Sequence, residues 1–321
     1  MLELTFRLVG IYLTSEERQG FDYVYKYYKK ETNRFHTWTP NSKIHIDTKE
    51  FNYTNSYNEW GHREKPVYSF NKTDKIINTI CIGDSFTEGD GTSYDSTWVK
   101  RVEHLLNKDT LKYALYNAGV CGSDVFYDYQ ILSQKLIELH PKIVLASINY
   151  SDVYDVIYQG GDNRFNSDNT VSGKTGPTWE WAFKYSHVFR AITLTALGYN
   201  KYLIKKSEQE SKEIEAVELI KKKIYQTRNF CVKHGINYIL IIHPHPLEIN
   251  FNKNKLTNAL GKEPYVIDLF QDQYLYYKQH NIAFNSWPLN HHFNGRGYFV
   301  LGTQIAQHLK QHGMLITSSI N

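Results

Sequence analysis

Apolar positions in this chain fall into two alternating patterns. Short, nearly unbroken hydrophobic runs at 76–82, 113–117, 143–148 and 237–242 have the character of parallel strands covered on both faces. Between them the apolar residues recur at helical spacing. Trp98, Val102 and Leu105 form one such stripe, and Val125, Tyr129, Leu132, Leu136 and Leu139 form a second within 124–140, which Pro141 ends. Ile214, Val217, Ile220, Ile224 and Cys231 form a third, stopped by Gly235, and 298–309 carries a last one. Asp95-Ser96 is the expected cap of the first helix, and Ser207-x-x-Glu210 reads as a capping box for the third. Residues 265–279 read as a further helix and 282–284 as a short fifth strand. Strands and helices in alternation predict an α/β fold.

Two regions depart from that rhythm. Residues 1–70 are predicted to be an irregular or β-containing N-terminal extension, followed by one α/β domain over 71–321. Within that domain, about 153–206 reads as a turn-rich and then aromatic insertion, of the kind that forms a lid or binding surface. With 321 residues there is ample chain for a full core. The net charge of +4 is scattered, which argues against a nucleic-acid partner. Cys81, Cys121 and Cys231 lie in or beside apolar segments with no metal-ligand spacing, so buried free thiols are expected. His243-Pro244-His245-Pro246 offers two imidazoles but no third metal ligand. Tyrosine is abundant, with 26 residues, and such aromatic surfaces suit sugar rings and wet interfaces alike. No stretch reaches the ~20 apolar residues of a membrane span. The amphipathic residues 1–14 carry Glu3 and Arg7, which is unlike a signal-peptide core, and offer at most a peripheral membrane contact.

The chemistry concentrates where the first long strand stops, at Gly83-Asp84-Ser85, with Gly89 closing the turn. A serine there projects from the carboxyl edge of a sheet, where open α/β folds place their ligands. An ordinary polar turn has the same composition. A second stretch late in the chain, Asn290-His291-His292-Phe293-Asn294-Gly295-Arg296-Gly297, supplies an imidazole just ahead of a helix.

Together the two stretches resemble the GDSL/SGNH hydrolase superfamily. The resemblance implies that Ser85, following Asp84, is the nucleophile, and that His292 rather than His291 is the base. Asn117-x-Gly119-x-x-Gly122 is similar to the second block, which implies that the N–H of Gly122 joins that of Ser85 in an oxyanion hole. Asn149-Tyr150-Ser151-Asp152 departs from the third block: Ser151 stands where an asparagine is usual, and Asn149 is the other candidate donor. Asn290 stands where the family has its aspartate. Asp268, Asp272, Glu248 or a backbone carbonyl are the substitutes open to the histidine. Residues 58–63 are similar to an element preceding the serine in some bacterial members, where Arg63 would pin a loop through its forked donors.

The fold so implied is a three-layer α/β/α sandwich around a mostly parallel, flavodoxin-like five-stranded sheet. The implied activity is removal of an acetyl or other short acyl group from a carbohydrate, with no cofactor and no metal. Acyl transfer to a glycan hydroxyl and glycan binding on an impaired hydrolase scaffold are the alternatives. The expected partner is an acylated small molecule or glycan. The expected location is the cytoplasm for the chain as it stands, or the cell envelope for a chain with an upstream anchor.

Overall fold

The computed structural model describes residues 2–9, 28–29, 37–67, 70, 76–108, 112–165, 177–200, 203–248 and 254–314. Much of the Tyr-rich N-terminal stretch and the turn-rich run at 166–176 therefore lie outside the described residues.

A first helix, α1 (Leu2–Val9), and an antiparallel hairpin of β1 (Lys43–Asp47) and β2 (Asn52–Ser56) precede the main sheet. That sheet contains β3 (Ile77–Ile82), β4 (Tyr113–Asn117), β5 (Ile143–Ile148), β6 (Asn237–Ile242) and β7 (Val266–Asp268). Their spatial order is β4-β3-β5-β6-β7, with every pairing parallel. Numbered within the sheet this is 2-1-3-4-5, the flavodoxin-like order, whose switch point lies between its first and third strands. Here those are β3 and β5, and β3 is the strand that ends at Ser85.

Because successive strand residues face opposite sides, each strand feeds two cores. Ile80, Ile82, Val144, Ala146, Leu240 and Ile242 pack on one face against α4 (Val125–Gln134), α5 (Ser151–Gln159), α8 (Gln209–Lys233) and α9 (Lys255–Leu260). Cys81, Leu115, Leu145, Ile239 and Ile241 pack on the other against α3 (Trp98–Leu106), α10 (Phe270–Gln279) and α11 (Gly295–Gln311). The three-layer α/β/α sandwich is thus present. Cys81 and Cys231 are buried free thiols, and Cys121 is a half-buried one.

Three local expectations are corrected. The fifth strand is 266–268; residues 282–284 instead form one turn of 3-10 helix, opened by the Asn281 side chain accepting the N–H of Ala283 at 3.0 Å, with Phe284 64% exposed. Three residues are too few to carry a period, so nothing in the pattern separates the two segments. α3 is capped by Thr97, which accepts the N–H of Lys100, while Asp95 and Ser96 sit in a preceding 3-10 turn. α8 starts at Gln209 with no side-chain cap, so Ser207 does not form a capping box.

The segment read as an insertion is largely helical where described. α5 runs on from Ser151, and α6 (Glu180–Tyr185) and α7 (His187–Thr195) follow. The carboxylate of Glu3 in α1 accepts the N–H groups of His187 and Val188 at the start of α7, at 2.9 and 3.1 Å. No helix among the described residues is long and apolar enough to cross a membrane.

Candidate active site

β3 must turn abruptly for Ser85 to stand at the sheet edge, and Gly83 makes this possible. Its φ is +145°, and a Cβ there would lie 2.6 Å from the carbonyl oxygen of Ser147. Asp84 then caps the single-turn helix α2 (Ser85–Glu88) by accepting the N–H of Phe86 at 2.9 Å. Ser85 is 8% exposed, and its Oγ lies 2.7 Å from Nε2 of His292.

His292 is delivered by the loop ahead of α11. Its carbonyl accepts the N–H of Trp287, the buried Phe293 anchors the next position, and Asn294 caps α11 through the N–H groups of Arg296 and Gly297. Phe86 supports the imidazole from below, ring centroids 4.6 Å apart, and the rings of His243 and His245 pack on the same phenyl ring at 5.1 and 5.4 Å. Burial pushes His243 below its ordinary value, and the two histidines serve here as packing partners. Among the described residues no three His, Cys, Asp or Glu side chains converge as a metal site.

With Nε2 accepting from the serine hydroxyl, Nδ1 carries the hydrogen. It donates to Asn290, whose Oδ1 lies at 2.7 Å and whose carbonyl oxygen lies at 3.1 Å. Asn290 therefore fixes the tautomer that a general base requires. Behind it stands a residue absent from the sequence reading: Asp90, with Oδ2 3.7 Å from Nδ1 of His292 and 3.5 Å from Nδ2 of Asn290. The three acids weighed as substitutes are engaged elsewhere. Asp272 pairs with His308 at 2.5 Å, Asp268 accepts the N–H of Phe270, and Glu248 accepts the N–H of His245 at 3.2 Å. Burial lifts Glu248 to about 7. The signal that marked Asp90 was its setting, Gly89-Asp90-Gly91 immediately after the Ser85 turn.

On the oxyanion side, the loop after β4 crosses directly over α2. A Cβ on Gly119 would sit 2.2 Å from the backbone nitrogen of Glu88, so only glycine permits the crossing. The loop is then tied down at three points: Val120 N–H to Gly83 O at 3.0 Å, Cys121 N–H to the Glu88 carboxylate at 2.7 Å, and the Ser123 hydroxyl to Gly83 O at 3.0 Å. Asp124 caps α4, and it also pairs with Arg164. The N–H groups of Ser85 and Gly122 donate to no backbone carbonyl among the described residues. Asn149 is committed elsewhere: it is fully buried, and its Nδ2 donates to Asp84 at 2.9 Å. Ser151 is half-buried, with Oγ 2.8 Å from Asn149 Oδ1 and 3.2 Å from Asp84 Oδ2. Asp84 thus gathers Asn149 and Ser151 behind Ser85. Burial pushes the neighbouring carboxyls of Asp128 and Asp152 well above the usual range.

Residues 37–63 complete the surroundings. The Glu88 carboxylate accepts from Trp38 Nε1 and the Tyr57 hydroxyl, each at 3.0 Å, and burial raises its pKa. Arg63, 1% exposed, donates to the carbonyls of Gly89 at 2.7 Å and Thr92 at 2.5 Å, the loop-pinning role its fork suits. At the tip of the β1–β2 hairpin, the Glu50 carboxylate accepts the N–H groups of Leu289 and Asn290 at 2.8 and 2.7 Å. Glu50→Ala is expected to release that loop and lower kcat/KM about tenfold, read from initial rates, since sub-ångström placement of a base governs its efficiency. An unchanged rate would relieve Glu50 of this function.

No family model matches the chain, and no curated protein matches it. Among solved structures it is similar to a two-domain esterase active on acetylated mannans, with 14% identity and a TM-score of 0.44, covering 75% of this chain and 50% of that one. An acetyl xylan esterase has 15% identity and a TM-score of 0.47, covering 73% of this chain and 100% of that one. A lipolytic protein of the G-D-S-L family from Desulfitobacterium hafniense has 13% identity and a TM-score of 0.34, covering 72% and 98%. The chain spans about half the length of the two-domain esterase. The strand order is flavodoxin-like, and it brings the two sequence blocks together at the carboxyl edge.

Proposed function

We propose that the chain is a serine-dependent ester hydrolase that removes an acetyl or other short acyl group from a carbohydrate. The observation that carries this reading is the 2.7 Å contact between Ser85 Oγ and His292 Nε2, with the opposite ring nitrogen held by Asn290 at 2.7 Å. In this reading His292 takes the hydroxyl proton as Ser85 attacks the ester carbonyl, and the tetrahedral oxyanion is met by the N–H groups of Ser85 and Gly122. Collapse of the intermediate expels the sugar alcohol, which leaves with the proton from His292. Water then enters, gives a proton to His292 as its oxygen attacks the acyl carbon, and collapse of this second intermediate breaks the bond to Ser85 Oγ, which takes the proton back from His292 as the acid departs. A nucleophile only 8% exposed suits a small acyl group with a larger leaving group at the rim.

The test is phosphonate labelling of the wild type, located by mass spectrometry, together with acetate release from acetylated mannan and xylan. One phosphonyl adduct on Ser85 and release of acetate are expected. Neither adduct nor acetate would overturn the reading in favour of a binding protein. Acetyl groups appearing on an added sugar acceptor in place of free acetate would identify a transferase using the same first step.

A further inference from the structure

We infer that Asp90 supplies, across the Asn290 amide, the negative charge that stabilises the protonated His292 during turnover. This rests on the Ser85–His292 reading above and assigns the acid that the reading lacks.

The orientation of Asn290 follows from both of its neighbours. The imidazole N–H needs an acceptor, which Oδ1 provides at 2.7 Å. A carboxylate oxygen can only accept, so the Asp90 side is served by Nδ2 at 3.5 Å. The amide lies between them with its dipole aligned to pass charge stabilisation along, and Asp90 Oδ2 is itself 3.7 Å from Nδ1. When His292 gains the serine proton, a cation arises at ion-pair distance from an anion already in place.

Asp90 is held for that position by groups that do nothing for Ser85 directly. Its Oδ1 accepts the hydroxyl of Tyr53 at 3.0 Å and the N–H of Gly91 at 2.9 Å. Its carbonyl accepts the hydroxyl of Tyr298 at 2.9 Å, and Arg63 fixes the carbonyls on either side. The titratable neighbours facing Asp90 are Tyr53 and Arg63 from the N-terminal segment, Glu88 from α2, Tyr298 from α11 and His292 itself. Tyr53 and Tyr298 are pushed well up by burial and remain hydroxyl donors. The function of one aspartate in a Ser-His-Asp triad is thereby divided: Asn290 orients the ring, and Asp90 provides the charge.

Asp90→Asn is the informative change, because its amide oxygen still accepts from Tyr53 and Gly91. The new NH2 then faces Nδ2 of Asn290, so the 3.5 Å contact is lost with the charge while the 2.7 Å bond to the imidazole N–H still holds Asn290, and kcat/KM is expected to fall about 100-fold, less than the ~10⁴ seen where orientation is lost outright. The acid limb of the kcat/KM profile is expected to move to lower pH, because an anion beside the ring favours its protonated form. Adding Asn290→Asp to that variant returns a carboxylate to hydrogen-bond distance and is expected to restore activity to within about tenfold of the wild type. A D90N rate within about threefold of the wild type, or a lower rate with an unmoved pH profile and no recovery in D90N/N290D, would overturn the assignment. Ser85→Ala and His292→Ala are measured alongside. Wild-type turnover in those would overturn the Ser-His reading itself, a different outcome from a silent Asp90.

Discussion

Replacing Ser85 by alanine is expected to lower turnover of p-nitrophenyl acetate by about 10⁴-fold or more, and His292→Ala is expected to do nearly as much. In serine hydrolysis the two act as one unit, so loss of either the nucleophile or its base costs on the order of 10⁴–10⁶ in turnover. The 2.7 Å contact between them is the geometric basis for treating them as such a unit here. The double variant is accordingly expected to be no slower than the slower single one. The residual rate would come from the N–H groups of Ser85 and Gly122, which stay in place in all three variants. Rates that multiplied instead would mean that serine and histidine act independently, and the covalent route would have to be abandoned.

Arg63→Ala is expected to cost about 3–5 kcal/mol of stability, because it leaves the carbonyls of Gly89 and Thr92 buried without their charged donor. The melting midpoint should fall by about 5–10 °C, readable by calorimetry. The same change removes the cation that offsets the burial of Glu88, whose carboxyl ties Trp38, Tyr57 and Cys121 together. Esterase activity should therefore fall even well below the new midpoint, since both Asp90 and the Gly122 loop lose their support. Arg63→Lys is expected to recover little, as an ammonium is a point donor and cannot span two carbonyls in the same plane. A melting midpoint unchanged in Arg63→Ala would show that water replaces the guanidinium at no cost.

The sheet was legible because its strands are covered on both faces, so that 76–82, 143–148 and 237–242 are apolar almost throughout. The seating of Ser85 and His292 was legible for a related reason: each adjoins an element whose boundary is marked, Gly83 before one and Asn294 after the other. What escaped was of two kinds. The strand at 266–268 is too short to show alternation, and its three residues sit directly against a helix, so the pattern merges the two. Asp90 escaped because its partner depends on tertiary packing: only the approach of the β1–β2 hairpin and of α11 brings a carboxylate five places after the serine beside the histidine ring. For the same reason Glu50 carried no signal in the sequence, whereas Arg63 read as a loop pin and donates to the Gly89 and Thr92 carbonyls in the fold.

That closure across distant segments bears on the order in which a newly made chain acquires activity. Ser85 and His292 are 207 positions apart, and Glu50 and Asn290 are 240 apart. Contacts of such separation are entropically the last to be worth making. A ribosome that has released residues up to the end of β5 has already delivered the serine turn and its first neighbouring strands, but not His292. The hairpin that holds the histidine loop meets its partners Leu289 and Asn290 only after the five strands of the sheet have been made. The Ser85–His292 contact then forms only with the docking of α11, so that under the reading proposed above a chain without α11 presents the serine but not its base.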